Sequence, residues 1–199
     1  VFGFKKKFLI YCITVGVVGA LSAAPADASE PSAAVVEHET AAMTLSGYDA
    51  AVAEAHGYQI VVHDDGTFES IPVTDAAKKE AEELAIAGGG LAARDTRSGN
   101  CGTSTLFITR AGSSGINIYT AYSVTLGYSI GHEWKVDGAT SSGTWSEDFN
   151  GLAASTTWSA THFKAVGGNA SGFGQVRAGS YAILNNGLTC SSALPYDAW

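Results

Sequence analysis

From Ile116 to Val136 the chain alternates between apolar and polar positions with a period of two. Ile116, Ile118, Thr120, Tyr122, Val124, Leu126, Tyr128, Ile130, His132, Trp134 and Val136 hold one phase, Asn117, Ser123, Thr125, Ser129, Glu133 and Lys135 the other, and Tyr119 is the exception. Successive strand side chains point to opposite faces, so this pattern puts one face on a core and the other in water. The run is far longer than an ordinary strand of about 5–6 residues. It therefore predicts either one strand bent at Gly127 or Gly131, or two strands meeting there.

Shorter runs predict further strands at 103–110, 140–146, 155–164, 173–178 and 180–185, joined by segments rich in Gly, Ser and Asn. Asn186-Gly187 is a hairpin turn leading into Leu188-Thr189-Cys190. No proline falls between Pro72 and Pro195, which leaves every backbone N–H in that stretch able to join a ladder. Many short strands with regular turn signals predict an antiparallel β-sandwich or small barrel.

The pattern upstream differs. Residues 29–45 read as a loose lead-in, and Ser46-Gly47-Tyr48-Asp49 resembles a capping box. Tyr48, Ala51, Val52 and Ala55 form a helical stripe stopped by Gly57, a C′ residue suited to positive φ. Residues 58–62 and 67–71 read as strands about an Asp64-Asp65-Gly66 turn, and a helix opens at Thr74 or Asp75 and runs to about Ala87 before Gly88-Gly89-Gly90. The sum is a small α+β unit of helix, hairpin and helix.

Charge divides the chain at the same place. Residues 29–98 carry 13 acidic and 4 basic residues, and residues 99–199 carry 5 acidic and 4 basic, while 15 of the 24 glycines and all four tryptophans lie in the second part. The net charge of −8 argues against a general nucleic-acid or anionic-membrane binder. At the other end, Lys5-Lys6-Lys7, the apolar run Phe8–Leu21 and Ala26-Asp27-Ala28 read as a secretory signal cut after Ala28. The organisation predicted is a signal at 1–28, an acidic α+β leader or propeptide-like subdomain at 29–97, and an all-β domain at 98–199. The basic, Gly-rich tip around Arg97 is the candidate processing point between the last two.

Of three cysteines, Cys12 lies in the signal, so an exported chain has Cys101 and Cys190 to pair as a disulfide. No metal or cofactor is predicted, because no P-loop, G-x-G-x-x-G, EF-hand, HExxH or paired-cysteine zinc motif occurs.

His132 and His162 are the two histidines of the β half. They could meet across a sheet with Glu133, Asp148 or water, but a regular strand turns Glu133 away from His132. Glu147 and Asp148 are adjacent, so they face opposite sides and do not make a hydrolase pair alone. Trp145 and Trp158 sit among Ser and Thr and are the candidate stacking platforms for a sugar ring, with His132 and His162 beside them as candidate ligand contacts.

Gly99-Asn100-Cys101-Gly102, Trp158-Ser159-Ala160-Thr161-His162 and the stretch Tyr181 to Cys190 resemble small secreted proteins of high-GC Gram-positive bacteria, with the hairpin segment around Gly57-Tyr58 and Asp65-Gly66 as their leader. The resemblance implies a secreted bacterial protein and transfers no activity or site residue. Together these readings predict a non-catalytic binding protein at the cell surface or in the medium, with a glycan, cell wall or protein as partner. The alternatives are a secreted hydrolase of cell wall or peptides, and an antibacterial effector stored with an acidic propeptide.

Overall fold

The computed structural model describes residues 39–86, 100–152, 154–168 and 170–199. The expected signal with its cut after Ala28 and the candidate processing point at Arg97 lie outside those residues. The fold is mainly β and antiparallel, as the alternation predicts.

In chain order the elements are β1 (Glu39–Tyr48), α1 (Ala50–Ala55), β2 (Tyr58–Val62), β3 (Phe68–Pro72), α2 (Asp75–Ile86), β4 (Asn100–Ala111), β5 (Gly115–Val124), β6 (Ser129–Glu133), β7 (Lys135–Thr140), β8 (Gly143–Asp148), β9 (Thr157–Ala165), β10 (Gly172–Val176), β11 (Tyr181–Leu184), β12 (Leu188–Ser191) and β13 (Tyr196–Ala198). A seven-stranded sheet runs β6-β11-β12-β1-β4-β5-β9, a four-stranded sheet runs β13-β10-β7-β8, and β2-β3 form a hairpin. The seven-stranded sheet curls almost shut. The segment before β9 returns to β6, where Ser129 N donates to Ser155 O at 2.9 Å and His132 N to Gly151 O at 3.2 Å.

The long alternating run is two strands and the start of a third. β5 ends at Val124, β6 begins at Ser129, and the chain changes sheets at Trp134. The phase slips within β6, where Ser129 is buried and Ile130 half-buried, and the buried set otherwise runs through Tyr122, Val124, His132, Trp134 and Val136. With Leu106, Ile108, Ile116, Ile118, Val176 and Leu184 these residues fill the space between the sheets. Each such side chain is worth roughly 1.5–3 kcal/mol on burial. Glycines make room for the largest of their neighbours. A Cβ on Gly138 would lie 2.1 Å from the Trp145 indole, and one on Gly174 would lie 2.5 Å from Ile108 Cδ1.

Three expectations change. The lead-in expected at 29–45 is a strand from Glu39 on: Ala41, Met43 and Leu45 turn inward in alternation, and Met43 is fully buried. Small Ala and Thr residues between them hid the period. The helix cap is Asp49 rather than Ser46, its carboxylate accepting from Ala51 N at 3.0 Å and Val52 N at 3.1 Å. Finally, the single strand expected at 140–146 is the end of β7, a Ser141-Ser142 turn and the start of β8, because Gly138 and Gly143 flank a hairpin rather than a connection; the division at 97/98 lies outside the described residues. β1 belongs to the acidic segment by composition yet lies between β12 and β4 in the main sheet.

The β11-β12 turn binds the α+β unit from the other side. Asn185 and Asn186 are buried, and their side chains are saturated: Asn185 Oδ1 accepts from Tyr128 N at 3.0 Å, and Asn186 Nδ2 donates to Leu126 O at 2.7 Å. Asp49 N donates to Gly187 O at 2.7 Å, Ser70 Oγ to Asn186 O at 2.6 Å, and Asn185 Nδ2 to Glu80 on α2. Gly187 has φ +81°, and a Cβ there would meet Ala53 of α1 at 2.6 Å, so only glycine permits this seat.

Candidate functional site

β6, β9 and the chain after β8 converge on one aromatic cluster. Trp158 stacks on Tyr122 with ring centroids 5.3 Å apart and lies 4.3 Å from the His132 ring. Phe149 stands 6.3 Å from Trp158 and stacks on His162 at 4.2 Å. Three of the four sequence-predicted residues, His132, Trp158 and His162, thus meet around Phe149. The fourth, Trp145, packs on the glycine floor of the other sheet, 6.2 Å from Trp199. Its indole nitrogen is buried without a hydrogen-bond partner.

His132 is held at both nitrogens. Nε2 lies 2.6 Å from the Phe149 carbonyl, an acceptor, so Nε2 carries the proton. Nδ1 lies 3.0 Å from the Tyr122 hydroxyl, which is also 2.8 Å from Ser129 Oγ. Burial pushes the imidazole below its ordinary value of 6.5, with the Phe149 carbonyl opposing. The unfolded chain then takes up a proton below about pH 6.5 that the folded chain resists, so stability present above that pH is lost as pH falls toward the lowered value. We expect the melting temperature to drop between pH 7.5 and 5, and His132→Asn to flatten the profile in that window. An unchanged slope in the variant would assign the effect to another group.

His162 meets a carboxylate the sequence did not pair with it. Its Nδ1 lies 3.5 Å from Glu147 Oε2, and Lys164 Nζ lies 2.6 Å from Glu147 Oε1. β8 and β9 are the free-standing ends of their two sheets, and this trio ties them together. Lys164, aided by His162, holds the Glu147 carboxyl below the usual carboxylate range, against the opposing effect of burial. An ionised glutamate held by Lys164 and His162 is a strut, and it has no proton to donate near neutral pH. Glu133 instead pairs with Lys135 at 2.6 Å. Among the described residues no group of three or more His, Cys, Asp or Glu converges as a metal site.

The outward faces carry what the sequence analysis passed over. On β4-β5-β9 the ladder sets Thr103, Ser123 and Thr157 in one row, Thr105, Ala121 and Ser159 in the next, and Phe107, Tyr119 and Thr161 in a third. Rows lie about 7 Å apart along the strands and neighbours about 4.8 Å apart across them. No position in these rows is charged. The short Ala121 side chain leaves a shallow depression of about 300 Å³, bordered by Tyr119, Thr105, Ser123, Ser159 and Trp158. Tyr119 was the one aromatic on the polar phase of the alternation, and that exception was the available signal.

Comparisons with protein-family models, with curated proteins and with solved structures each give no match.

Proposed function

We propose that the chain is a secreted, non-catalytic binding protein that engages a glycan of the cell wall or medium through the outer face of β4-β5-β9. The observation that carries this reading is the neutral hydroxyl lattice around Tyr119. Hydroxyls both donate and accept, so they match a ligand made of hydroxyls. Threonine is stiff at χ1 and loses little freedom on contact. An aromatic ring supplies the apolar platform for a pyranose. Ser123 and Ser159 belong to a residue type that protein interfaces deplete, and the rows hold neither Met nor Arg, which such interfaces favour. A Cys101–Cys190 disulfide is compatible with an oxidising compartment.

The test is co-sedimentation of the full chain with insoluble cell wall under non-reducing conditions. Saturable pelleting is expected, weakened about tenfold by Tyr119→Ala and also by Thr161→Lys, which puts a charge on the face. A wild-type chain that stays in the supernatant, or variants that pellet equally, would overturn the reading. The hydrolase alternative has the His162–Glu147 pair in its favour, a histidine oriented by a carboxylate. It requires wall-degrading activity that His162→Ala abolishes.

A further inference from the structure

The four-stranded sheet turns its own outer face away from the hydroxyl lattice. Ile108 of β4 lies against Gly174 of β10, so the two sheets stack by their inner faces and their outer faces look in opposite directions. On that second face the ladder aligns Tyr196, Gln175, Asp137 and Ser146 in one row and Ala198, Phe173, Ala139 and Thr144 in the next. Small Ala139 beside Phe173 opens a groove of about 570 Å³. That size falls within the range of small-molecule sites, roughly 300–1,000 Å³.

We propose that this groove is a second saccharide site, taking a single neutral pyranose unit against Phe173, Gln175, Asp137 and Arg177, with Tyr196 stacked on Phe173 at its border. It goes beyond the reading above, since it rests on a different surface and a different form of ligand. Phe173 and Tyr196 stack on each other at 5.5 Å, yet are 43% and 40% exposed. They offer an apolar platform that stands exposed among the described residues. Next to it stands a rigid polar fork. Arg177 Nε and Nη2 reach the two Asp137 oxygens at 2.5 and 2.6 Å, and Nη2 also donates to Ser146 Oγ at 3.0 Å. Ser146 also hydrogen-bonds the carboxylate, which still keeps acceptor capacity beyond these bonds, and Nη1 lies outside the fork. Gln175 donates its Nε2 to the Leu194 carbonyl at 3.2 Å, which fixes its Oε1 as an acceptor.

Leu194 carries the structure's strain. It is the non-glycine residue with positive φ, at 64°, among the described residues. That conformation aims its carbonyl at Gln175 and delivers the chain into β13, where Tyr196 stands. The strained residue thus positions one groove residue, Gln175, by a direct hydrogen bond.

The charges select the sugar. Asp137 and Arg177 neutralise each other, so the groove favours neither an acidic nor a basic ligand. Acceptors on Asp137 and Gln175 and a donor on Arg177 lie side by side, as two adjacent hydroxyls of a ring require. Arg177 holds Asp137 below the usual carboxylate range, which keeps the acceptor ionised near neutral pH.

The experiment titrates D-glucose, D-galactose, D-mannose and N-acetyl-D-glucosamine into the ¹⁵N-labelled full chain. At least one sugar is expected to shift the Gln175 side-chain amide and Arg177 Nε resonances saturably. Phe173→Ala and Arg177→Lys should each weaken that sugar about tenfold, while Tyr119→Ala leaves it unchanged. Arg177→Lys keeps the charge and removes the fork, and Gln175→Ala is a milder variant should either fail to fold. No saturable shift from any of the four sugars, or equal affinity in Phe173→Ala and Gln175→Ala, overturns the proposal. Failure of wall pelleting alone removes the lattice reading and leaves this one standing. Loss of sugar shifts with pelleting intact does the reverse.

Discussion

A chain starting at residue 98 is expected not to yield a soluble, cooperatively folding monomer. β1 is an interior strand, pairing with β4 from Glu39 to Thr44 and with β12 from Thr44 to Tyr48. Without it the main sheet parts into β6-β11-β12 and β4-β5-β9, each with a new open edge. Fully buried Met43 goes too, a loss of about 1.5–3 kcal/mol by itself. The buried Asn185-Asn186 turn would lose Ser70, Asp49 and Glu80 as partners. Buried polar groups left unmet cost about 1–3 kcal/mol each. Against a typical total of about 5–15 kcal/mol, these losses suffice. Size-exclusion chromatography and near-ultraviolet circular dichroism of 98–199, alone and refolded with 29–97, decide the matter. A folded monomer of 98–199 alone would show that β1 is dispensable and would reopen the effector reading. Restoration only on mixing would mean that cleavage near Arg97 leaves a two-chain molecule, with the acidic segment retained as a structural part.

Breaking the Cys101–Cys190 bridge should be the largest two-atom change available. The cysteines are 89 positions apart with Cα atoms at 5.8 Å. Closing a loop of that length restricts the unfolded chain by an amount that chain-entropy estimates put near 4.5 kcal/mol, though typical measured values are about 2–4. Both sulfurs are buried, on the strands that flank β1. The double variant Cys101→Ala/Cys190→Ala should therefore lower the urea midpoint by about 1–2 M, given slopes of about 1–3 kcal/mol/M. Reduction of the wild-type chain should match it. A midpoint unmoved in both would mean that the pairing adds nothing to the fold.

Much of this architecture is legible before any coordinates. The β2-β3 hairpin and the β11-β12 turn follow from Asp-Gly and Asn-Gly, and α2, β4, β5, β9, β10 and β11 from period, whereas the β7-β8 hairpin escaped because its turn is Ser141-Ser142 and its strands carry Gly and Ala. β1 escaped because its phase is written in Ala, Thr and a single Met, side chains too small or too mixed to mark a face. β13 escaped for its brevity, at three residues. In the site, strand phase alone set His132 and Trp134 on the inner side. It could not reveal that His162 answers to Glu147, since that contact joins two different sheets. It did mark Tyr119, on the polar phase, as outward, but it did not single out Phe173 and Tyr196, which are exposed. Trp145 and Trp158 have the larger rings, and the structure spends them between its sheets.

The position of β1 also sets a clock. It is the first strand of the described chain, yet its two neighbours begin at residues 100 and 188. The main sheet cannot close until β12 has been made and has returned across almost the whole length of the polypeptide. Such distant pairings place a protein among the slow folders, on the order of milliseconds to seconds. A chain delivered gradually would hold its main sheet open until β12 emerges. The same delay that burdens folding keeps the polypeptide threadable for as long as it is in transit.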